Sequence, residues 1–222
     1  MGAPLSAPPQ GRDAAAFVVA KRICVPMPHS TTRLSCACGQ FHLEVIGEPL
    51  INAECHCTSC REAGARLASV PPAFPLQEAN GGTHYLLYRK DRVRFPDGTQ
   101  NLVQFHLTPT SPTRRVLANC CNTPIFTEFK NGHWLSLYAG LWAGKPLPPL
   151  NLRTQTGDLP PGTELTGDIP AGAMATAGFY AKLLGSWIAM GFRVPTIAVT
   201  GDIKARQPPK QKKARSPAPF QK

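Results

Sequence analysis

No apolar run in this chain approaches the roughly 20 residues needed to span a bilayer, which excludes a conventional helical membrane protein. Charged residues are sparse at 17% against 42% hydrophobic, so wholesale disorder is excluded as well. A secretory signal is missing: the N-terminal stretch AAAFVVA is short, with Asp13 before it and Lys21–Arg22 after it. No phosphate-cradling glycine loop, Ser-His-Asp pattern or paired carboxylates can be read. With 24 prolines and 19 glycines in 222 residues, a long helical bundle is ruled out, and turns, short strands and loose ends are expected.

Acid is scarce too. There are 13 Asp and Glu against 24 Lys and Arg, a net charge of +11. That excess sits at the ends. Residues 204–222 hold seven basic residues (Lys204, Arg206, Lys210, Lys212, Lys213, Arg215 and Lys222) and no acid, whereas 35–203 carry 13 basic and 12 acidic residues. A nearly neutral body offers no charged groove, so weak, non-specific, salt-sensitive polyanion binding is expected of the tail alone. No membrane partner is expected.

What is present divides the chain into four parts. Residues 1–31 read as a Pro/Ala-rich leader that is disordered or mis-started, with Met27 as an alternative start. Residues 32–142 read as a β domain, in which QFHLEVIG, THYLLYRKDRVRF, NLVQFHL, RRVLANC, TPIFTEF and HWLSLYAG alternate with period two. Pro96-Asp97-Gly98 and Asn131-Gly132 supply turn chemistry between these runs. Residues 143–203 combine an irregular Gly/Pro segment with a C-terminal amphipathic helix. Its stripe, Phe179, Leu183, Leu184, Trp187 and Ile188, is expected to pack on the β body, and Gly191 is placed to end it. Residues 204–222 read as a disordered basic tail.

Seven of the eight cysteines fall in three tight groups: Cys36 and Cys38 in C-A-C-G; Cys55, Cys57 and Cys60 in C-H-C-T-S-C; and the vicinal pair Cys120–Cys121. Cys24 stands alone in the leader. In a cytoplasmic, reducing setting, which the absence of a signal implies, such clusters mean metal or catalysis rather than disulfides. Thiolates at i and i+2, or i and i+3, on a turn converge on one tetrahedral cation at about 2.3 Å. Zinc, one or two ions per chain, is the expected cofactor. A redox role for Cys57-x-x-Cys60 lacks the βαβ surroundings of a thioredoxin-like motif. His56 alternates away from its neighbours and is expected beside the metal site rather than on it.

LSCACGQFHLEV, ECHCTSCREAGA and NCCNTPIF together resemble the glutathione-dependent formaldehyde-activating enzyme and centromere-protein-V family, from about Leu34 to Trp142. The resemblance implies a mainly β, twisted antiparallel β-tent fold with zinc. It also implies a closed four-thiolate site from the C-x-C and late C-x-x-C pairs, and a three-thiolate site with an open position at Cys55, Cys57 and Cys60. The late motif departs from the pattern. Aligning C-N-T-P with C-G-T-P puts Cys121 on the second cysteine and Ala118 where the first belongs. On an extended strand only one of Cys120 and Cys121 faces inward, so Cys121 is expected to join Cys36 and Cys38. Cys120 is then turned away or strained toward the same centre, leaving a weaker site. Asn122, in place of the glycine, is a mild change because asparagine tolerates left-handed backbone.

An open three-thiolate zinc implies carbon–sulfur lyase chemistry on a thiol or thiol adduct of a small molecule. For the carboxylates of glutathione, Arg61, Arg66, Arg89, Lys90, Arg92 and Arg94 are the candidate cations. The alternative is a non-catalytic zinc-stapled binding module whose basic tail contacts nucleic acid or an acidic partner.

Overall fold

A computed structural model describes residues 30–71 and 74–203. The expectations for the leader, for Cys24 and for the basic tail lie outside these residues. Among them, no helix is long and apolar enough to cross a membrane.

Every alternating run forms a strand. A three-stranded sheet has the order β1 (Thr31–Ser35), β2 (His42–Ile46), β5 (Val93–Asp97). The first strand among the described residues begins at Thr31. An eight-stranded sheet is ordered β10 (Leu152–Thr154), β3 (Ile51–Cys55), β4 (Thr83–Arg89), β9 (Trp134–Tyr138), β8 (Thr123–Phe129), β7 (Thr113–Ala118), β6 (Leu102–His106), β11 (Gly201–Asp202). Its inner pairs are antiparallel, but β10 joins β3 and β11 joins β6 in parallel, so the large sheet is mixed rather than purely antiparallel. Both edge strands come from the segment after residue 142, which returns along the outside of the sheet.

The large sheet is covered on both faces. In β4, Leu86 and Tyr88 face one core with Phe41, Leu43 and Val45 of the small sheet, while Tyr85 and Leu87 face another. Strands buried on both sides read as nearly continuous apolar runs, which accounts for THYLLY. The second face is covered by α1 (Thr58–Leu67) and α2 (Gly172–Ala189). The turn after β5 brings Gly98 to φ +78°, where a Cβ would sit 2.3 Å from the Gln40 carbonyl oxygen, so only glycine fits.

α2 forms where the stripe predicts it, but presents a narrower face. Leu183 is buried and Phe179 partly so, whereas Leu184 and Ile188 stay exposed. Ser186 and Met190 are buried instead. The helix leans on the sheet through a line at Ala175, Phe179, Leu183, Ser186 and Met190. Gly191 (φ +61°) follows its end as expected, with the Phe192 amide bonding back to the Trp187 carbonyl.

Candidate metal centres and the cavity beside one of them

Two sulfur clusters form at opposite kinds of site. Cys36 and Cys38 lie on the tight turn between β1 and β2, closed by the Gly39 amide on the Cys36 carbonyl (3.0 Å) with Gly39 at φ +76°. Cys120 and Cys121 lie on the turn between β7 and β8. Cys36 Sγ is 3.6 Å from Cys38 Sγ and 3.7 Å from Cys120 Sγ, and Cys120 Sγ is 3.9 Å from Cys121 Sγ. These are the separations of about 3.5–4 Å that a tetrahedron with 2.3 Å bonds requires. All four sulfurs lie within 4.8 Å of one another.

Cys121 joins Cys36 and Cys38 as expected, and of the two placements expected for Cys120 the one toward the same centre holds; the expectation that only one of the pair faces inward is corrected. Strand alternation does not govern this pair, because both residues have left β7 at Ala118 and turn before β8 begins at Thr123. Asn122 takes φ +56° there, the left-handed backbone anticipated for it. The turn aims both sulfurs at Cys36 and Cys38, and Cys120 supplies the group that Ala118 lacks. Thr123 fastens the arrangement, accepting from the Ala37 amide at 3.0 Å and lying 3.0 Å from Cys121 Sγ. Burial opposes ionisation of Cys121, yet the Thr123 hydroxyl and the Cys38 and Thr123 amides pull its thiol down to about 6. The cluster ties the small sheet to the large one.

The second cluster sits where β3 passes into α1. Cys55 ends the strand, Cys57 is the N-cap of α1 with its sulfur accepting from the Cys60 amide (3.3 Å), and Cys60 lies in the first helical turn. Cys60 Sγ is 3.8 Å from Cys55 Sγ, and the three sulfurs lie within 4.8 Å of one another. A helix N-terminus favours anionic sulfur. The thiols compete for that advantage. Hydrogen bonds with Cys57 and Cys60, together with burial, push Cys55 up, whereas bonds from Cys55 and Cys57 and the nearby Arg115 charge pull Cys60 down despite burial. Three converging sulfurs that cannot all ionise alone are the donor set a divalent, sulfur-seeking cation relieves, so the residues fit zinc.

His56 is fully buried and takes no part in the sulfur group. Its Nε2 lies 3.2 Å from Glu54 Oε2, which also accepts from Arg153 Nε at 2.7 Å, while Asn80 donates to Oε1 at 2.8 Å. This network holds the strand end that carries Cys55, and the Arg153 bond keeps Glu54 ionised against its burial.

A cavity of about 340 Å³ opens against Cys55, Cys57 and Cys60. Trp134 and Phe129 form one wall, and Thr176, Phe179 and Tyr180 of α2 roof it. Tyr85 reaches its floor, with the hydroxyl 3.6 Å from Cys60 Sγ and 3.1 Å from Thr127 Oγ1. Complete burial raises the Tyr85 phenol far above its ordinary range, so it remains a donor. A larger hollow of about 530 Å³ touches Cys36 alone of the four-sulfur cluster.

None of the six cations nominated from the sequence lines the smaller cavity. Arg61 donates to the Asp158 and His56 carbonyls, Arg66 pairs with Glu62, and Arg89 pairs with Asp91. Lys90 is buried against Glu128 at 2.5 Å, Arg94 stands opposite Glu44 across β2–β5, and Arg92 lines a separate surface hollow. The cation that does line the cavity is Arg115, which sequence reasoning missed.

The crystal structure of a Rhodobacter sphaeroides protein, a structural-genomics target, is similar over 64% of this chain and 100% of its own, with 17% identity and a TM-score of 0.37. No curated protein matches the chain. The family profile described as "Glutathione-dependent formaldehyde-activating enzyme" matches residues 31–146, which hold both sulfur clusters and just over half of the sequence, and the chain belongs to that family.

Proposed function

We propose that this protein is a zinc-dependent enzyme of the carbon–sulfur lyase type, acting on a thiol adduct of a small molecule at Cys55, Cys57 and Cys60. The observation that carries this reading is the contrast in ligand number. Four sulfurs close on one another at the turns, whereas three converge beside a cavity large enough for a small molecule. Three protein ligands and a free position are how zinc is held when it does chemistry.

Zinc bound there would supply Lewis acidity, lowering the pKa of a thiol that reaches it. The remaining work falls to the chain. The α1 N-terminus favours negative charge at Cys57 and Cys60, and the Tyr85 hydroxyl lies 3.6 Å from the Cys60 sulfur. Phe179, Tyr180 and Trp134 give the cavity an aromatic lining beside the sulfurs. In the addition direction, the substrate sulfur forms a bond to the carbonyl carbon of an aldehyde while the carbonyl π pair moves to oxygen. That oxygen takes the proton the thiol gave up, leaving an S-hydroxyalkyl thiol; elimination reverses each move.

The reading is tested by metal analysis of the full chain with thiol-dependent formaldehyde uptake. Two zinc ions per chain are expected. Cys57→Ser should keep one ion and lose uptake, and an unchanged zinc count in that variant would overturn the assignment.

A further inference from the structure

We infer that the cavity selects a thiol whose substituent is uncharged and aromatic, so that the substrate at Cys55, Cys57 and Cys60 is the aldehyde adduct of a hydrophobic thiol. This inference rests on the open three-sulfur site proposed above and names the chemistry of what enters it.

Two aromatic pairs line the cavity. The ring centroids of Phe129 and Trp134, on β8 and β9, lie 5.8 Å apart with a 33° tilt. Those of Phe179 and Tyr180, on α2, lie 5.2 Å apart at 84°. Phe129 is 44% exposed and Tyr180 58%, while Trp134 and Phe179 are partly buried behind them. Single exposed rings are ordinary on a protein surface. Two that border one hollow, backed by two more, form the kind of apolar patch that a ligand covers. A further ring meets such rings stacked or edge-on at centroid separations of about 4.5–7 Å. A volume of about 340 Å³ admits one. α2 lies beyond residues 31–146, so Phe179 and Tyr180 are no part of the family match.

The same lining offers nothing to a charged substituent. Among the described residues it holds no Asp, Glu, Lys or His, and its one cation is turned into the protein. Arg115 Nη2 donates to the Ser59 carbonyl at 3.0 Å, and Nε and Nη1 are enclosed. The Thr127 and Thr176 hydroxyls are likewise taken, by Tyr138 Oη at 3.1 Å and the Gly172 carbonyl at 2.8 Å. A carboxylate carried in would give up its water and find no accessible cation, which is strongly unfavourable. Three thiolates on a divalent cation leave a net negative charge, which repels it further. An aromatic ring meets neither penalty.

The test is calorimetric titration of the zinc-loaded full chain with four probes. Phenylmethanethiol carries the ring, 2-mercaptoethanol is a small neutral thiol, mercaptoacetate is a charged one, and benzyl alcohol is the ring without sulfur. Phenylmethanethiol should bind about tenfold or more tightly than either other thiol, the scale of burying one aromatic ring. Tyr180→Ala removes a ring that is more than half exposed, and Trp134→Ala one that is partly buried. Each should cut that preference by about threefold or more, the scale of one aromatic contact. A smaller wild-type preference, or one that neither variant reduces, overturns the inference. Should Trp134→Ala fail to fold, Tyr180→Ala decides. If no thiol binds, the reading of the three-sulfur site fails by itself. Benzyl alcohol binding that Tyr180→Ala weakens then still upholds the aromatic cavity, and benzyl alcohol binding that is absent or unchanged in that variant overturns it.

Discussion

The two sulfur clusters of this protein use the same ligand in opposite surroundings. Four sulfurs gather on two turns, tie the small sheet to the large one, and hold their places through short backbone and Thr123 contacts. Three sulfurs gather at a strand end and a helix start, beside a cavity with an aromatic wall, a helical roof and a buried arginine. A closed shell suits a metal that only holds chain segments together, and an open one suits a metal that meets a substrate. The lesson is that ligand count and what lies next to the sulfurs separate the two roles, since cysteine content does not.

The comparison predicts different consequences of losing each cluster. Cys36→Ser should be the most damaging single change, because a structural zinc site contributes on the order of 10 kcal/mol of apparent folding free energy. Thermal unfolding of that variant should show collapse at or near ambient temperature, and a melting temperature close to wild type would erase the structural half of the contrast. Cys57→Ser should reverse the pattern, with thiol-dependent formaldehyde uptake falling to background while most of the melting temperature is retained. If both variants unfold alike, the two sites do not differ in kind.

How much of this the residues disclose depends on which rule governs each of them. Alternation located β2, β4 and β6–β9, and cysteine spacing located all seven clustered sulfurs. β3 escaped because INAEC buries Asn52 and Glu54, polar groups that find partners only when the chain is folded. α1 escaped because a cysteine, not Ser, Thr, Asp or Asn, caps it. The vicinal pair was misjudged by applying a strand rule to a turn. Arg115 was invisible for a different reason: an arginine in an alternating strand reads as solvent-facing, and its burial comes from α1, packed on that face from far along the chain. The helix itself was legible, yet its exact buried line was not, since Leu184 and Ile188 sit on the same pattern as Leu183.

The clusters also differ in what supports them from behind. The four-sulfur turns are held by hydrogen bonds that involve no buried charge, whereas Cys55 is carried by a strand whose Glu54 joins Arg153, His56 and Asn80. Glu54→Ala leaves the Arg153 guanidinium buried without a partner, a change that costs about 3–5 kcal/mol. Chemical denaturation should show that loss, and metal analysis should show zinc leaving the three-sulfur site first. Equal loss from both sites would mean that the Glu54 network supports the fold as a whole.

The smallest expected effect concerns the roof that only the three-sulfur site has. α2 is pinned to the sheet where His133 Nε2 meets Ser186 Oγ at 2.8 Å and the imidazole stacks on Trp187 at 5.8 Å with an 8° tilt. Ser186 donates its own proton to the Leu183 carbonyl at 2.8 Å, so it accepts from Nε2–H. Burial, aided by Lys90 and Arg89, lowers the His133 pKa below its ordinary value of 6.5. Between the lowered folded value and the ordinary unfolded one, the unfolded chain binds the proton and the folded chain does not, so stability falls as pH drops through that window and levels off below it. The expected result is a decline of a few degrees (~1–4 °C) in melting temperature as the pH is taken from 7.5 to below 6.5, with most of the loss below 6.5, the scale of a fraction of a kcal/mol to 1 kcal/mol in a domain of this size. His133→Phe keeps the stack on Trp187 without a titrating nitrogen and should flatten the decline. Tryptophan emission from Trp187 and Trp134 should track the same midpoint if the roof loosens before the sheet does. An identical pH slope in His133→Phe would assign the decline to other groups and leave the roof insensitive to acid.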